Sequence, residues 1–353
     1  MADVAILGAG AAGLFAAISA AERGRTVVLL EKNHRPGVKI LMSGGTRCNI
    51  TNARGLRNLR VVSGPIDPAY NPREARGARS IQQAFEDAPG RFLSPALKAF
   101  SVEDSVSFFE SEGVATKVEG NGKVFPVSDR AVDVLSAILG RLERSGAVLL
   151  PNSPAQEIIR SDAGFSIRTP DRSLDARRVV VTVGGQSYPG SGTSGDGYTI
   201  ARAFGHTIVE PRPALVPLKV TPEWVTGLKG LTLTDVHASI RCAEGPALQE
   251  RREAVLFAHF GLTGPAILDV SRAVARHDSS EGLFLHLDLV PDLNLEQLDA
   301  RLASESRSGR SLVANHLSPS IPKRLVEILL DLAQIPRDRI GPELSKVERR
   351  RLV

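Results

Sequence analysis

Gly8, Gly10 and Gly13, in the run Gly8-Ala9-Gly10-Ala11-Ala12-Gly13, stand between a short apolar stretch, Asp3 to Leu7, and an Ala-rich segment, Leu14 to Arg23, that Gly24 stops. Glycines at this spacing can receive a pyrophosphate. The first permits a tight turn, the second removes a Cβ so that backbone N–H groups approach the phosphates, and the third lets the following helix settle on the strand. Ala11 and Ala12 open that helix, whose unpaired first-turn N–H groups and positive dipole end would face the anion. Thr26 to Leu30 then reads as a strand ending on Glu31, placed to accept hydrogen bonds from ribose hydroxyls. A carboxylate there repels a 2′-phosphate, which favours FAD or NAD over NADP.

The stretch behind Glu31 bears on which dinucleotide. It runs through Pro36-Gly37-Val38-Lys39 into Ser43-Gly44-Gly45-Thr46-Arg47-Cys48-Asn49-Ile50-Thr51-Asn52, small polar residues and glycines around one cation. Backbone of this composition can lie against a flat polar ring and offer it donors. Reduction of an isoalloxazine places negative charge at its N1/O2 edge, which Arg47 or a loop N–H would stabilise. The competing reading is a solvated turn with Arg47 as a surface charge and Asn49 and Thr51 as caps; the residues alone leave both open. Lys32, Lys39, Ser43, Gly44, Gly45, Arg47, Cys48 and Asn49 join Gly8, Gly10, Ala11, Ala12, Gly13 and Glu31 as candidate cofactor contacts.

These residues need a scaffold. Ser128 or Asp129 can cap a helix carrying Val132, Leu135, Ile138, Leu139 and Leu142 on one stripe, with Gly146 at its end. Ala147 to Leu150, Glu157 to Arg160 and Phe165 to Arg168 read as a small antiparallel meander, and Arg178 to Val183 as a strand entering Gly184-Gly185, two further cofactor candidates. Gly190, Gly192 and Gly195 repeat the opening glycine spacing. The strand ends too early for a second nucleotide turn and Pro189 intervenes, so Ser187 to Tyr198 is read as a cover for cofactor or substrate, with Asp196 a contact. A turn-rich linker is the alternative. The pattern is α/β, with a Rossmann-like nucleotide-binding domain.

Composition narrows the field. At 353 residues, with 42% hydrophobic and 24% charged residues, the chain has material for two or three domains with substantial cores. A net charge of +5 spread over this length, with 16 aromatic residues not interleaved with basic runs, speaks for a small anionic ligand and against dedicated nucleic-acid binding. Two cysteines, Cys48 and Cys242, form no CxxC pair, so no metal site or dithiol centre is written, and a reducing cytoplasm fits. Asp3 and the early glycines argue against a signal peptide or membrane span over Val4 to Ala21.

The chain resembles the bacterial BaiN-like, or aminoacetone-oxidase-like, family of FAD-dependent flavoproteins. The likeness rests on Gly8 to Gly13, on Ser43 to Asn52, its most specific block, and on Val124-Phe125-Pro126, Gly184 to Pro189 and Gly195-Asp196-Gly197-Tyr198. It extends to Pro213 to Leu218 and Phe260 to Ala266. It implies an FAD-binding domain over 1–205, with the meander near 147–169, and an inserted domain over 206–345, β-rich over 206–290 and helical over 291–345, where Leu325, Ile328, Leu329 and Leu332 set a stripe. Residues 346–353 would begin the return to the FAD domain. Thr46 stands where the family usually has a third glycine. The family also continues with a strand, a glycine turn and a helix closing over the flavin. The chain therefore resembles a C-terminally truncated member, incomplete in its FAD domain, and the expectation is weak FAD binding or a catalytically impaired, non-catalytic FAD-binding protein.

The leading expectation is an FAD-dependent oxidoreductase moving hydride between flavin N5 and a small organic substrate or NAD(P)H, the latter a transient donor, without nucleic-acid or membrane partners and of unknown oligomeric state. His259, beside the Phe260 to Pro265 turn, and Tyr188 are candidate proton donors or acceptors, and Cys48 a candidate thiol near the flavin. For each, a plain structural role is the competing reading. A third expectation, RNA contact through Arg349 to Arg351, competes with a solvated helix end.

Overall fold

Alternation is absent from Ala5, Ile6 and Leu7, all buried, and a strand that is apolar on both faces belongs in the middle of a covered sheet. The computed structural model, which describes residues 1–56, 58–71, 90–306, 311–317 and 321–353, places it there. The chain divides into two units, Met1–Ile208 and Val209–Val353.

In the first unit, β1 (Ala2–Leu7) leads into helix α1 (Ala11–Ala21) and β2 (Val27–Leu30). Helix α2 (Val38–Met42) and β3 (Thr51–Asn52) follow, then α3 (Gly90–Ala99), α4 (Val102–Ser111), β4 (Thr116–Val118) and β5 (Lys123–Pro126). Helix α5 (Ala131–Ser145) precedes β6 (Val148–Leu150), β7 (Glu157–Ser161), β8 (Gly164–Arg168), β9 (Ser173–Val181) and helix α6 (Asp196–Ala203). The main sheet has the order β6-β2-β1-β9-β8-β7, with β6, β2, β1 and β9 mutually parallel. A smaller antiparallel sheet, β3-β5-β4, carries the end of the Ser43–Asn52 loop.

The architecture is therefore a Rossmann-like parallel sheet with an antiparallel extension. Two details differ from the sequence reading. Residues 147–150 do not join the meander: α5 is a crossover, so β6 returns parallel to β2, pairing Val28 with Val148, while β7, β8 and β9 form the antiparallel part. On α5 the buried stripe is Ala131, Val134, Leu135, Ile138 and Leu142, and Val132 is exposed, because it lies about 100° from Ala131 around the helix.

The second unit starts with helix α7 (Trp224–Gly227), followed by β10 (Thr232–Cys242), β11 (Gln249–Ala258), β12 (Gly261–Thr263), helix α8 (Pro265–Arg276) and β13 (Leu283–Asp288). These strands form one antiparallel sheet ordered β12-β11-β10-β13. Val236, Ala238 and Ile240 of β10 are buried on the side of Ile267 and Val270 of α8. Helices α9 (Leu295–Glu305), α10 (Val313–His316), α11 (Lys323–Leu332) and α12 (Lys346–Leu352) complete it. On α11 the buried residues are Leu325, Val326 and Leu330; Leu332, expected on the stripe, is exposed at the last turn, and Ile335 beyond it closes the cluster. Residues 346–353, expected to begin a return to the nucleotide domain, belong instead to this unit, where Arg349 Nε of α12 bonds Asp299 of α9 at 2.6 Å. Among the described residues no helix is long and apolar enough to cross a membrane.

Just past α4, the buried carboxylate of Glu112 takes Arg144 and, at 3.2 Å, Arg141 from α5. Burial pushes this carboxyl up, and the two guanidiniums outweigh it, leaving it below the ordinary glutamate value of 4.5. A depressed folded-state pKa means the unfolded chain takes the proton first, so the contact stabilises fully above that ordinary value and is lost as pH falls through the folded one. Glu112→Gln should cost about 1–3 kcal/mol near neutral pH, with the gap to wild type narrowing in acid. Urea unfolding across the acid range checks this; a gap independent of pH would assign the loss to packing.

Candidate functional site

The first turn is built by exclusion of side chains. Gly8 has φ +94°, and a Cβ on it would come within 2.8 Å of Val183 Cα. A Cβ on Gly13 would overlap the Gly8 carbonyl oxygen and sit 2.7 Å from Thr182 Oγ1. Thr182 donates that hydroxyl to the carbonyls of Leu7 (2.8 Å) and Gly8 (3.0 Å). Gly10 is different: nothing lies within 4 Å of where its Cβ would be. It is also the N-cap of α1, with no side-chain cap and no acid in the first turn, so the N–H groups there are left for an incoming anion.

A cavity of about 290 Å³ opens at this turn, lined by Gly8, Gly10, Ala11 and Ala12, by Glu31, Lys32 and Lys39, and by Gly184 and Asp196 from the far end of the unit. Nine sequence-predicted residues thus share one hollow. Glu31 is buried, and its carboxylate first holds the turn: Oε2 accepts the Ala9 N–H at 2.7 Å and Oε1 the Asn33 N–H at 2.8 Å. Each oxygen keeps a second lone pair, enough for a ribose hydroxyl.

The two lysines divide their work. Lys32 Nζ pairs with Asp196 Oδ2 at 2.5 Å and reaches Ser194 Oγ at 3.1 Å, and this hydrogen bond holds the Asp196 carboxyl below the usual carboxylate range. Lys32 and Asp196, expected as cofactor contacts, therefore largely satisfy each other and tie the second glycine loop across the cavity. Lys39 donates to the Ser187 carbonyl at 2.8 Å, a neutral partner, and keeps its charge for an anion. Sequence reasoning missed Asn33, Thr182, Ser191 and Thr193, which also line the hollow. Gly192, at φ +88°, packs on Asn33, whose Nδ2 bonds the Ser191 carbonyl at 3.4 Å. A Cβ on Gly185 would come within 3.1 Å of the Tyr198 hydroxyl.

The Ser43–Asn52 loop turns on a run of left-handed residues, Gly44 (φ +58°), Gly45 (+68°), Thr46 (+70°) and Cys48 (+63°). Arg47 does not stand free to face a ligand. Its Nη1 lies 2.5 Å from Glu119 and 3.4 Å from Asp129, and its guanidinium stacks 4.0 Å over the Phe125 ring. Lys117 takes the other oxygen of Asp129 at 2.5 Å. Two carboxylates thus answer the charge of Arg47 through Nη1 and tie the loop to the small sheet.

A larger hollow of about 960 Å³ shares Ala11, Ala12 and Lys39 with the first and is lined by Ser43, Cys48 and Asn49 of this loop. Cys48 is buried, and burial pushes its thiol up to about 11, so it stays protonated at neutral pH and is a poor nucleophile. Tyr188 is 64% exposed with φ +56°. His259 belongs to the second unit, exposed at the β11–β12 hairpin and edge-on to Phe260 at 4.8 Å. Among the described residues none of these three catalytic candidates hydrogen-bonds another.

Similarity to known proteins follows the same division. Residues 2–63 match a family model described as the HI0933-like protein Rossmann domain, and residues 212–353 one described as the HI0933-like protein barrel and H2TH domain. The chain is 31% identical over 336 residues to a protein of Escherichia coli (strain K12) named ribosomal RNA dihydrouridine synthase, covering 95% of this chain and 74% of that one. A Haemophilus influenzae protein of the same name is 28% identical, covering 99% and 78%. A 3-dehydro-bile acid delta(4,6)-reductase of Clostridium scindens is 27% identical, covering 98% and 78%.

Thr46 is β-branched in a conformation that suits glycine, a strain of about 1–3 kcal/mol. Thr46→Gly should raise stability by about 1 kcal/mol after the added chain entropy of glycine is counted. Chemical denaturation measures it, and an unchanged or lowered midpoint would show that the Thr46 side chain contributes contacts that offset the strain.

Proposed function

Because the chain belongs to the HI0933-like family, we propose that it is an FAD-dependent oxidoreductase that saturates a carbon–carbon double bond conjugated to a carbonyl. One observation carries the cofactor: of the three glycines in the turn, Gly8 and Gly13 admit no Cβ, whereas at Gly10 open space lies in front of an uncapped helix start. Glu31 would hold the adenosine ribose, the first-turn N–H groups with Lys39 the pyrophosphate, and the Ser43–Asn52 loop the ring system. FAD, when bound, supplies hydride transfer at N5. The chain's own residues orient it, neutralise its phosphates and, through Ser191, Gly192 and Thr193, cover it.

The direction of reaction is read from the relatives. Making dihydrouridine and reducing a delta(4,6) bile-acid ketone are both reductions of a double bond in conjugation with a carbonyl, so reduction at the expense of NAD(P)H is the working direction. Two of the three relatives act, by name, on ribosomal RNA and share the higher identities. A uracil ring in RNA is therefore the substrate we favour, a departure from the expectation of a small molecule without nucleic-acid partners; a free enone is the second reading.

Gly10→Ala separates cofactor from fold. With nothing near its Cβ, the variant should unfold at the wild-type temperature yet bind FAD about tenfold more weakly or worse, whereas Gly13→Ala should lose both stability and binding. Titration of FAD followed by its fluorescence reads this, and a Gly10→Ala protein that binds normally would remove the turn from the cofactor site. Anaerobic addition of NADH or NADPH should bleach the visible flavin band, and subsequent addition of unmodified ribosomal RNA, but not of a steroid dienone, should restore it. Restoration by the dienone alone would select the second reading, and no bleaching with either nucleotide would refute NAD(P)H as donor.

A further inference from the structure

A third hollow, of about 520 Å³, lies wholly within the second unit. Its floor is one face of β10 and β13. Their register sets His237 opposite Asp288, Ser239 opposite His286 and Arg241 opposite Phe284, and directly opposed side chains share a face. Leu298 and Leu302 of α9 line it as well, together with Arg301 of the same helix and His316 of α10. A sheet face open to water would carry polar residues without further meaning. This one is covered on the β10 side, where Ser239 is 1% exposed and its hydroxyl accepts Arg241 Nε at 3.1 Å, and open at His286 and Asp288 of β13.

That bond orients a half-buried guanidinium, and among the described residues no carboxylate lies within ion-pair distance of it. The neighbouring charges are engaged elsewhere. Glu250 stands 3.5 Å from His237, Asp288 Oδ1 accepts the Val290 N–H at 2.9 Å, and Arg301 Nε pairs with Glu305 at 2.8 Å. A cation drawn partly out of water without a counter-charge is costly, and an anion presenting two oxygens to its fork relieves that cost.

We propose that this hollow binds an amphipathic monocarboxylate, its carboxylate on the terminal nitrogens of Arg241 with His286 beside it, and its apolar body against Leu298 and Leu302. A phosphate monoester fits less well, since a single guanidinium leaves its second charge unanswered. The hollow lies within the second unit, and the proposal does not rest on the function proposed above.

Isothermal titration of the full chain with octanoate, octanol and inorganic phosphate tests the proposal. Octanoate should bind one to one, octanol about tenfold more weakly or worse, and phosphate should not displace octanoate. Arg241→Met should weaken octanoate about tenfold or more, Arg241→Lys by less, because an ammonium keeps the charge without the fork. Leu298→Trp, which fills the apolar side, should weaken it while leaving Arg241 in place. Absence of octanoate binding, equal binding of octanol, displacement by phosphate, or an Arg241→Met protein of unchanged affinity would each overturn it. Should Arg241→Met fail to fold, the octanoate and octanol comparison and Leu298→Trp decide the matter alone.

Discussion

Where the ends of β1 and β9 meet the start of α1, the backbone leaves no space for a Cβ. Gly8 abuts Val183, and Gly13 abuts the Gly8 carbonyl, with Thr182 bonding two carbonyls across the junction. Most of the first unit follows from this contact. It sets α1 flat against the parallel strands, aims the helix start at the cavity, and brings Gly184 to the same hollow as Gly10. A side chain at either tight position would part β9 from the turn and with it the meander that β9 anchors.

Ion pairs in this unit fix loops in place more than they add stability, since half-exposed pairs contribute little individually. Lys32 with Asp196 and Arg47 with Glu119 and Asp129 cancel most of the charge that the sequence places near the turn. What remains for an anion is the main-chain donors of α1, the ammonium of Lys39 and the guanidinium of Arg35, which lines the same hollow. The cavity is thus a weakly cationic site built mostly of backbone, which suits a pyrophosphate and tolerates the neutral remainder of a dinucleotide.

The parts legible in the sequence were those whose cause is local. Gly8, Gly10 and Gly13 each answer to a turn or a close approach, and Leu135, Ile138, Leu139 and Leu142 announce a helix by their period. Thr46 stood out only through the resemblance, because the family usually carries a third glycine there. The partner of Arg47 was not: Glu119 and Asp129 lie 72 and 82 residues away, and nothing in the loop distinguishes a cation meant for carboxylates from one meant for a ring. The same distance hid the Lys32–Asp196 pair. The misplacement of residues 147–150 had another origin, since a short apolar run has no feature that tells a parallel edge strand from a meander strand; only the crossover helix before it does.

The bond between Lys32 and Asp196 spans 164 positions of the chain. During synthesis the glycine turn and α1 leave the ribosome long before the loop that roofs them, and the strand that supplies Thr182 and Gly184 arrives late as well. A growing polypeptide therefore holds only half of this hollow until Asp196 has been made. The cofactor proposed for this hollow therefore meets a complete site only once the first unit is nearly finished.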